Sequence, residues 1–359
     1  MSISQIAREA KVPYATAWRI INNRPCRSPE AVHAVKAAIA RVGYAPEEIR
    51  RGRRPKSADG IRTHNVALLH LREGSSISSS VLAHVQRMLA DRNLNLIFAH
   101  VESAAQLPQA IRSGNVDGIL GYGEFPSDAI TPQIKMVPAV WMMSRASAGT
   151  GDAWGDRVRP DNQEIGRLAA QYLIDHGHQH IAYFNPDPAL SMYAEREMGF
   201  RAAGEAAAAS SGGERTVHAF CGQPLRPAEQ NSIPAMEAAS ERFVEKWLAT
   251  SPRPTGVFIP VDRVTLRAYR HLEQHGIKPG RDVQVVSCDN EQELLSLMDP
   301  RPDSIDLNRK SIAQLAVERL LWRMKHRMSA PAVTISVGPV LQRHDAPVSE
   351  RIESQSAIV

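Results

Sequence analysis

Cysteine is scarce in this chain. Cys26, Cys221 and Cys288 are the only three in 359 residues, and their wide separation excludes both a disulfide framework and a paired metal-ligand spacing. Long apolar runs are missing too. No stretch approaches the ~20 residues that a membrane helix needs, so no membrane partner is expected. The opening "MSISQIAREAK" lacks the basic-then-apolar layout of a secretory signal, which leads to a cytoplasmic expectation. Catalytic signatures are also absent. "GYGEFP" carries glycines but neither a full dinucleotide fingerprint nor a P-loop lysine, and no nucleophile elbow or kinase motif occurs. "HGHQH" brings His176, His178 and His180 close in sequence. Their spacing across a helix end and a strand does not set all three on one face, so zinc is set aside and no cofactor is expected.

What is present is a division of charge. A chain of 39.5 kDa exceeds one ordinary core, so two or three domains are expected, and 43% hydrophobic residues suffice to fold them. Residues 1–60 hold twelve Lys/Arg against five Asp/Glu, while the whole chain carries only +5. A basic head therefore precedes a slightly acidic body, which is the footprint of a polyanion-binding domain.

The head reads as three helices. Ser2 and Gln5 have capping-box spacing, and Ile6, Ala7 and Ala10 follow on one apolar face. After "VP", the stretch "YATAWRIINN" gives a second short helix with Ala17, Ile20 and Ile21 inward. Ser28, Pro29 and Glu30 open a third, where a cap, a proline at the first position and an acid complement the helix dipole. Val32, Val35, Ile39 and Val42 recur at helical spacing, and Gly43 closes the helix. Two short helices across a tight turn plus a longer buttress make a small all-α helix-turn-helix domain. The competing reading is a generic three-helix bundle.

From residue 64 the pattern changes. "VALLHL", "LNLIFAH", "VDGILGYG", "VPAVWMM", "HIAYFN", "TVHAFC", "TGVFIPV" and "DVQVVSC" read as buried strands. Amphipathic helices such as "NQEIGRLAAQYLIDHG" and "VTLRAYRHLEQHG" lie between them. Such alternation implies parallel sheets with right-handed crossovers and ligands at the carboxyl ends of the strands. The stretch "RVRPDNQEIG" reads as a turn-rich break that favours two Rossmann-like lobes over one sheet. The segment after "CDN" must then complete both.

Residues 3–46 resemble the DNA-binding head of the LacI/GalR family of transcriptional regulators. Residues 64–345 are similar to that family's effector-binding core, itself like type I periplasmic binding proteins. The second match is carried by "VDGILGYG", "VPAVWMMSR", "PDNQEIGRLAAQYLIDHGHQHIAYF", "REMGF", "PTGVFIPVD", "GRDVQVVSCDN", "PDSIDLN" and "VGPVLQRHDAP". The resemblance implies that Tyr14, Ala15 and Arg19 enter the major groove, Arg19 forking onto guanine while Tyr14 and Ala15 meet a thymine methyl. It implies phosphate bonds from Thr16, Asn22 and Ser28, and it counts Ser2 among the DNA-contacting residues. Three positions depart from the family: Lys11 stands for a turn glycine, Pro13 for a capping serine and Trp18 for a small serine.

For the core, the resemblance implies effector contacts at Ile77, Ser78, Asp161, Arg196 and Asp289. The carboxylates would accept hydroxyl donors, and Arg196 would present a fork of donors to ligand oxygens. Asp161 and Asp262 could instead cap the helices that begin beside them. The loop "EGSSISSS" and Val261, where an asparagine is common, depart from the family. Between the domains lies "RRGRRPK", with Arg50, Arg51, Arg53 and Arg54. There the family has a hinge helix that inserts leucines into the minor groove. Arg53 occupies the leucine position, and Gly52 and Pro55 disfavour a helix. An extended arginine arm in a narrow minor groove is expected instead, a charged tether being the plainer alternative.

The expected organisation is a helix-turn-helix domain at residues 1–46, a basic linker at 47–63, a two-lobed core at 64–345 and a tail at 346–359. The expected function is that of a homodimeric, cytoplasmic, nucleoid-associated repressor. It would bind a pseudo-palindromic double-stranded operator under control of a small metabolite, a sugar or related compound. A metabolite-binding or sugar-acting enzyme on the same α/β core is the rival, and it would need a catalytic constellation that the sequence lacks.

Overall fold

A computed structural model describes residues 3–21, 26, 28–42, 61–71, 79–145, 154–210, 212, 215–226, 229–230, 232–326 and 331–344. They divide into two compact units, Met1–Pro55 and Lys56–Val359.

The first unit consists of α1 (Ile3–Glu9), α2 (Tyr14–Ile21) and α3 (Pro29–Val42). Lys11 takes the left-handed backbone (φ 52°) that a glycine would adopt without strain. The turn closes as Val12 N donates to Ala7 O at 3.0 Å. Pro13 supplies no side-chain cap, but its carbonyl accepts the Thr16 and Ala17 amides at 2.9 and 3.1 Å, which starts α2. Ile6, Ala7, Ala10, Ala17, Val35 and Ala38 form the buried centre. Its small side chains let three short helices approach closely.

The second unit has two six-stranded sheets. The chain runs through β1 (Asn65–His70), α4 (Ser79–Ala90), β2 (Asn95–His100), α5 (Gln109–Arg112), β3 (Gly118–Glu124), α6 (Thr131–Ile134), β4 (Ala139–Arg145) and β5 (Asp156–Pro160) in lobe 1. It crosses into lobe 2 for α7 (Asn162–Asp175), β6 (His180–Asn185), α8 (Ser191–Ser210), β7 (Thr216–Cys221), α9 (Ile233–Leu248), β8 (Gly256–Phe258), α10 (Asp262–Gln274), β9 (Gln284–Cys288), α11 (Gln292–Leu295) and β10 (Asp303–Asp306). Next come α12 (Arg309–Lys325) and β11 (Thr334–Val337) in lobe 1 and β12 (Val340–Gln342) in lobe 2. The sheet orders are β11-β5-β4-β3-β1-β2 and β12-β10-β9-β8-β6-β7. Every ladder is parallel except β10 with β12.

Each sheet is covered on both faces, as parallel sheets require. Along β1, Val66 and Leu68 pack with α4 and α12, while Ala67 and Leu69 pack with Ile111, Ile134 and Trp141. In lobe 2, Ala182 and Phe184 face α9 and α10, while Ile181 and Tyr183 face α7 and α8. The backbones of α7 and α8 touch. A Cβ on Gly166 would lie 1.9 Å from Arg196 O, and one on Gly199 would lie 1.9 Å from Gln163 O. Those two glycines seat α8 against the first turns of α7.

The stretch "RVRPDNQEIG" is not a break throughout. Asp156–Pro160 is strand β5, paired with β4 and β11, and only the residues after it turn. Its alternating buried and half-buried pattern carries arginines on one face, so it does not read as an apolar run. The segment after "CDN" does complete both lobes, with β10 and β12 in one and α12 and β11 in the other.

Candidate functional sites

On α2 of the head, Ala17 is buried while Tyr14 (55% exposed), Ala15 and Arg19 lie open. Thr16 is half-buried. This is a helix anchored by one side and presenting the other, as major-groove insertion demands. The Ser28 hydroxyl is already engaged: it accepts Ala31 N at 3.2 Å and donates to Glu30 Oε2 at 2.8 Å. It therefore caps α3 as its sequence position suggested. Ser2, Asn22, Arg50, Arg51, Arg53 and Arg54 lie outside the described residues.

In the second unit, β5 leads from lobe 1 into α7 of lobe 2, and β10 leads from lobe 2 into α12 on lobe 1. Both crossings leave the carboxyl ends of parallel strands, so those ends of the two sheets meet at the lobe junction. Arg196 on α8 is wholly buried there. Its Nε donates to Asn162 Oδ1 at 3.2 Å and its Nη1 to Pro260 O at 2.6 Å. Nη2 has no hydrogen-bond partner among the described residues. Burial opposes the charge, but Cys288, Asp289 and Tyr183 outweigh it and hold the guanidinium above its usual pKa. A buried donor left unpaired is costly, and a ligand oxygen would satisfy it.

Asp289 follows β9 with φ 109°, and Asn290 follows with φ 53°. Consecutive positive φ values at residues other than glycine are strained and persist only where neighbours enforce them. Asp289 Oδ1 lies 3.2 Å from Arg309 Nη2. Behind it, Asp262 is buried at the first position of α10, with Val261 as the cap residue, so Asp262 does not cap the helix by its side chain. Its Oδ1 accepts from Ser287 Oγ at 2.5 Å and Ser304 Oγ at 3.0 Å, and its Oδ2 from Glu291 N at 2.7 Å. Burial and then the charge of Asp289 push its carboxyl up to about 7.

Asp161 caps α7, its Oδ1 accepting Glu164 N at 3.1 Å. Arg196 and Asp289 thus come together at the end of lobe 2, Asp161 serves the crossover, and Ile77 and Ser78 lie outside the described residues. Asn162, Glu195 and Arg309 join this site without a sequence expectation: Asn162 lies within "PDNQEIG" but with no role marked, and Glu195 and Arg309 fall just outside the matching stretches. The three histidines of "HGHQH" are bonded apart: His176 to Tyr172 O, His178 to Thr255 and Gln284, His180 to Thr216. Among the described residues no group of three or more His, Cys, Asp or Glu is arranged to hold a metal, and no helix is long and apolar enough to cross a membrane.

Fold and site together define a helix-turn-helix head joined to a two-lobed core of the periplasmic-binding-protein type. Residues 170–344 match the family model of the periplasmic binding protein-like domain. The chain is 25% identical over 336 residues to the ribose operon repressor of Haemophilus influenzae, covering 90% of this chain and 92% of that one. It is also 25% identical over 336 residues to the HTH-type transcriptional repressor PurR of Vibrio parahaemolyticus, covering 91% and 92%. Among solved structures, a transcriptional regulator CelR–cellobiose complex superposes with TM-score 0.62 at 23% identity, covering 97% of this chain and 100% of that one, which supports the fold. The chain is thus similar, over nine-tenths of its length, to repressors of the LacI/GalR type.

Proposed function

We propose that this chain is a transcriptional repressor whose operator affinity is set by a small metabolite bound between the lobes of its core. The observation that carries the reading is the buried Arg196, with its free Nη2 directed by two fixed bonds, beside the acceptor Asp289 in its strained turn. A donor and a carboxylate so placed suit a polyhydroxy compound, since hydroxyls both accept and donate. The relatives named as repressors support the regulatory half of the reading, and a regulator needs no catalytic residue. Asp161 contributes to the cleft from its crossover, and Ile77 and Ser78 are read as further effector contacts.

Two heads on a two-fold homodimer read an inverted-repeat operator, in the cytoplasm at the nucleoid. Tyr14, Ala15 and Arg19 read bases; Ser2, Thr16 and Asn22 bond phosphates, and Ser28 joins them only by turning its hydroxyl from Glu30; Arg50, Arg51, Arg53 and Arg54 follow the minor groove. Residues 1–46, 47–63 and 64–345 divide these tasks. The test has two parts. Selection from random DNA by the full-length protein should enrich inverted half-sites, and melting curves with D-ribose, cellobiose and nucleobases should rise for a bound compound. Enrichment of no motif, or a melting curve indifferent to every such compound, would contradict the corresponding half.

A further inference from the structure

Arg309 opens α12, a helix that belongs to lobe 1 by its packing. Ile312, Ala313, Val317 and Leu320 are buried with Leu68, Leu120 and Val140. Its guanidinium nevertheless serves lobe 2. Nη1 donates to the Asp289 carbonyl at 2.6 Å, and Nη2 lies 3.2 Å from Asp289 Oδ1 and 3.8 Å from Glu291 Oε1. Tyr122 on β3 of lobe 1 is close enough to act on its charge. The side chain is only 21% exposed.

The turn that Arg309 grips is the one with two consecutive positive φ values. Its amides are secured from lobe 2: Asp289 N to Ile305 O at 3.0 Å, Asn290 N to Ser304 Oγ at 3.1 Å, Glu291 N to Asp262 Oδ2 at 2.7 Å. Its carbonyl and carboxylate are secured by Arg309 alone among the described hydrogen bonds and ion pairs. No described bond engages Asp289 Oδ2. A planar fork reaches a carbonyl and a carboxylate oxygen at once, which the point charge of a lysine does poorly.

We propose that Arg309 is the positioning residue of the effector site. It fixes Asp289 with one oxygen left for ligand hydroxyls, and it ties any displacement of that turn to α12 and so to lobe 1. The claim deepens the effector reading above and rests on it.

Two measurements on the full-length protein separate the two. In hydrogen exchange, Arg309→Gln should speed the amides of peptides covering residues 288–295 at least tenfold, with Arg309→Lys between it and wild type. Lys310→Gln, which removes the same charge from an exposed neighbour, should leave them unchanged. Wild-type exchange in Arg309→Gln would overturn the positioning role, as would an equal rise across every peptide. In calorimetry with D-ribose and cellobiose, a sugar bound by the wild type should lose at least tenfold in affinity in Arg309→Gln and recover part of it in Arg309→Lys. An unchanged Kd would overturn the link to the effector. Failure of the wild type to bind either sugar would count against the sugar reading, while the exchange result still decides what Arg309 holds.

Discussion

Arg159 Nη1 lies 2.9 and 3.0 Å from the two carboxylate oxygens of Glu195, joining β5 of lobe 1 to α8 of lobe 2. Glu195 also accepts Asn162 Nδ2 at 3.2 Å, and the other end of that amide, Oδ1, accepts Arg196 Nε at 3.2 Å. The buried Arg196 is therefore oriented by a chain of hydrogen bonds that begins in the opposite lobe. A change in how the lobes sit would act on the aim of Arg196 Nη2 through these bonds, and a ligand-controlled regulator needs two states with different affinities at two sites.

Arg19→Ala should weaken binding to the selected operator by about 1–3 kcal/mol while nearly sparing random DNA, because a guanine fork discriminates bases. Competition isotherms at fixed salt measure both. An equal loss on both DNAs would assign Arg19 to a phosphate.

Arg53→Ala with Arg54→Ala should weaken binding most for operators with an A·T-rich centre and flatten the salt dependence. Arginine favours the narrow, negative minor groove, and each neutralised phosphate steepens the salt slope. A salt series on operators differing only at the centre tests this. Equal effects on all centres would leave a plain charged tether.

How much of this was legible in the sequence varies with the physics involved. Helix α3 was readable because Pro29 and Ser28 mark its start and Val32, Val35 and Ile39 keep its period. Strands β1, β3 and β9 were readable as apolar runs because both of their faces are covered. Strand β5 was not, since Arg157 and Arg159 occupy one face and Pro160 ends it; β11 and β12 are short, partly exposed edges with weak patterns. Arg196 and Asp289 came from family resemblance. Arg309, Asn162 and Glu195 gave no signal, because their roles lie in partners 20 to 36 positions away. Lys11 shows the opposite limit: the glycine-like backbone persists although the glycine does not.

Asp156→Asn should destabilise the core by about 3–5 kcal/mol at neutral pH, the usual cost of breaking a buried ion pair. Asp156 is fully buried and accepts from Arg319 Nε at 2.5 Å, Arg323 Nε at 3.0 Å and Val333 N at 3.0 Å, with a further bond from Arg323 Nη2. Burial alone would raise its pKa, but the bonds from Arg323, Val333 and Arg319 outweigh it and lower the value. Its contribution is thus present above the unfolded value of about 3.9 and lost as pH falls through the lower folded value. Denaturant unfolding of wild type and variant at neutral and acid pH should show the difference shrinking in acid.

Asp262 acts with the opposite sign. Its folded carboxyl, raised to about 7, binds a proton that the unfolded chain has released above about 4. Its contribution should favour folding at low pH and diminish as pH rises from about 4 to about 7, by an amount on the order of a few kcal/mol. Asp262→Asn should flatten that part of the stability profile. An unchanged slope between those pH values would show that Asp262 keeps an ordinary carboxyl.

The most direct test of the central claim is operator affinity, measured by fluorescence anisotropy with the full-length protein, with and without each compound that raises its melting temperature. At least one compound should shift the wild-type affinity tenfold or more in a single direction. Arg196→Ala should bind operator without that compound yet lose the shift, because the donor proposed to read the ligand is gone. A compound that binds the core while operator affinity stays fixed, or an Arg196→Ala protein that responds as the wild type does, would contradict the account.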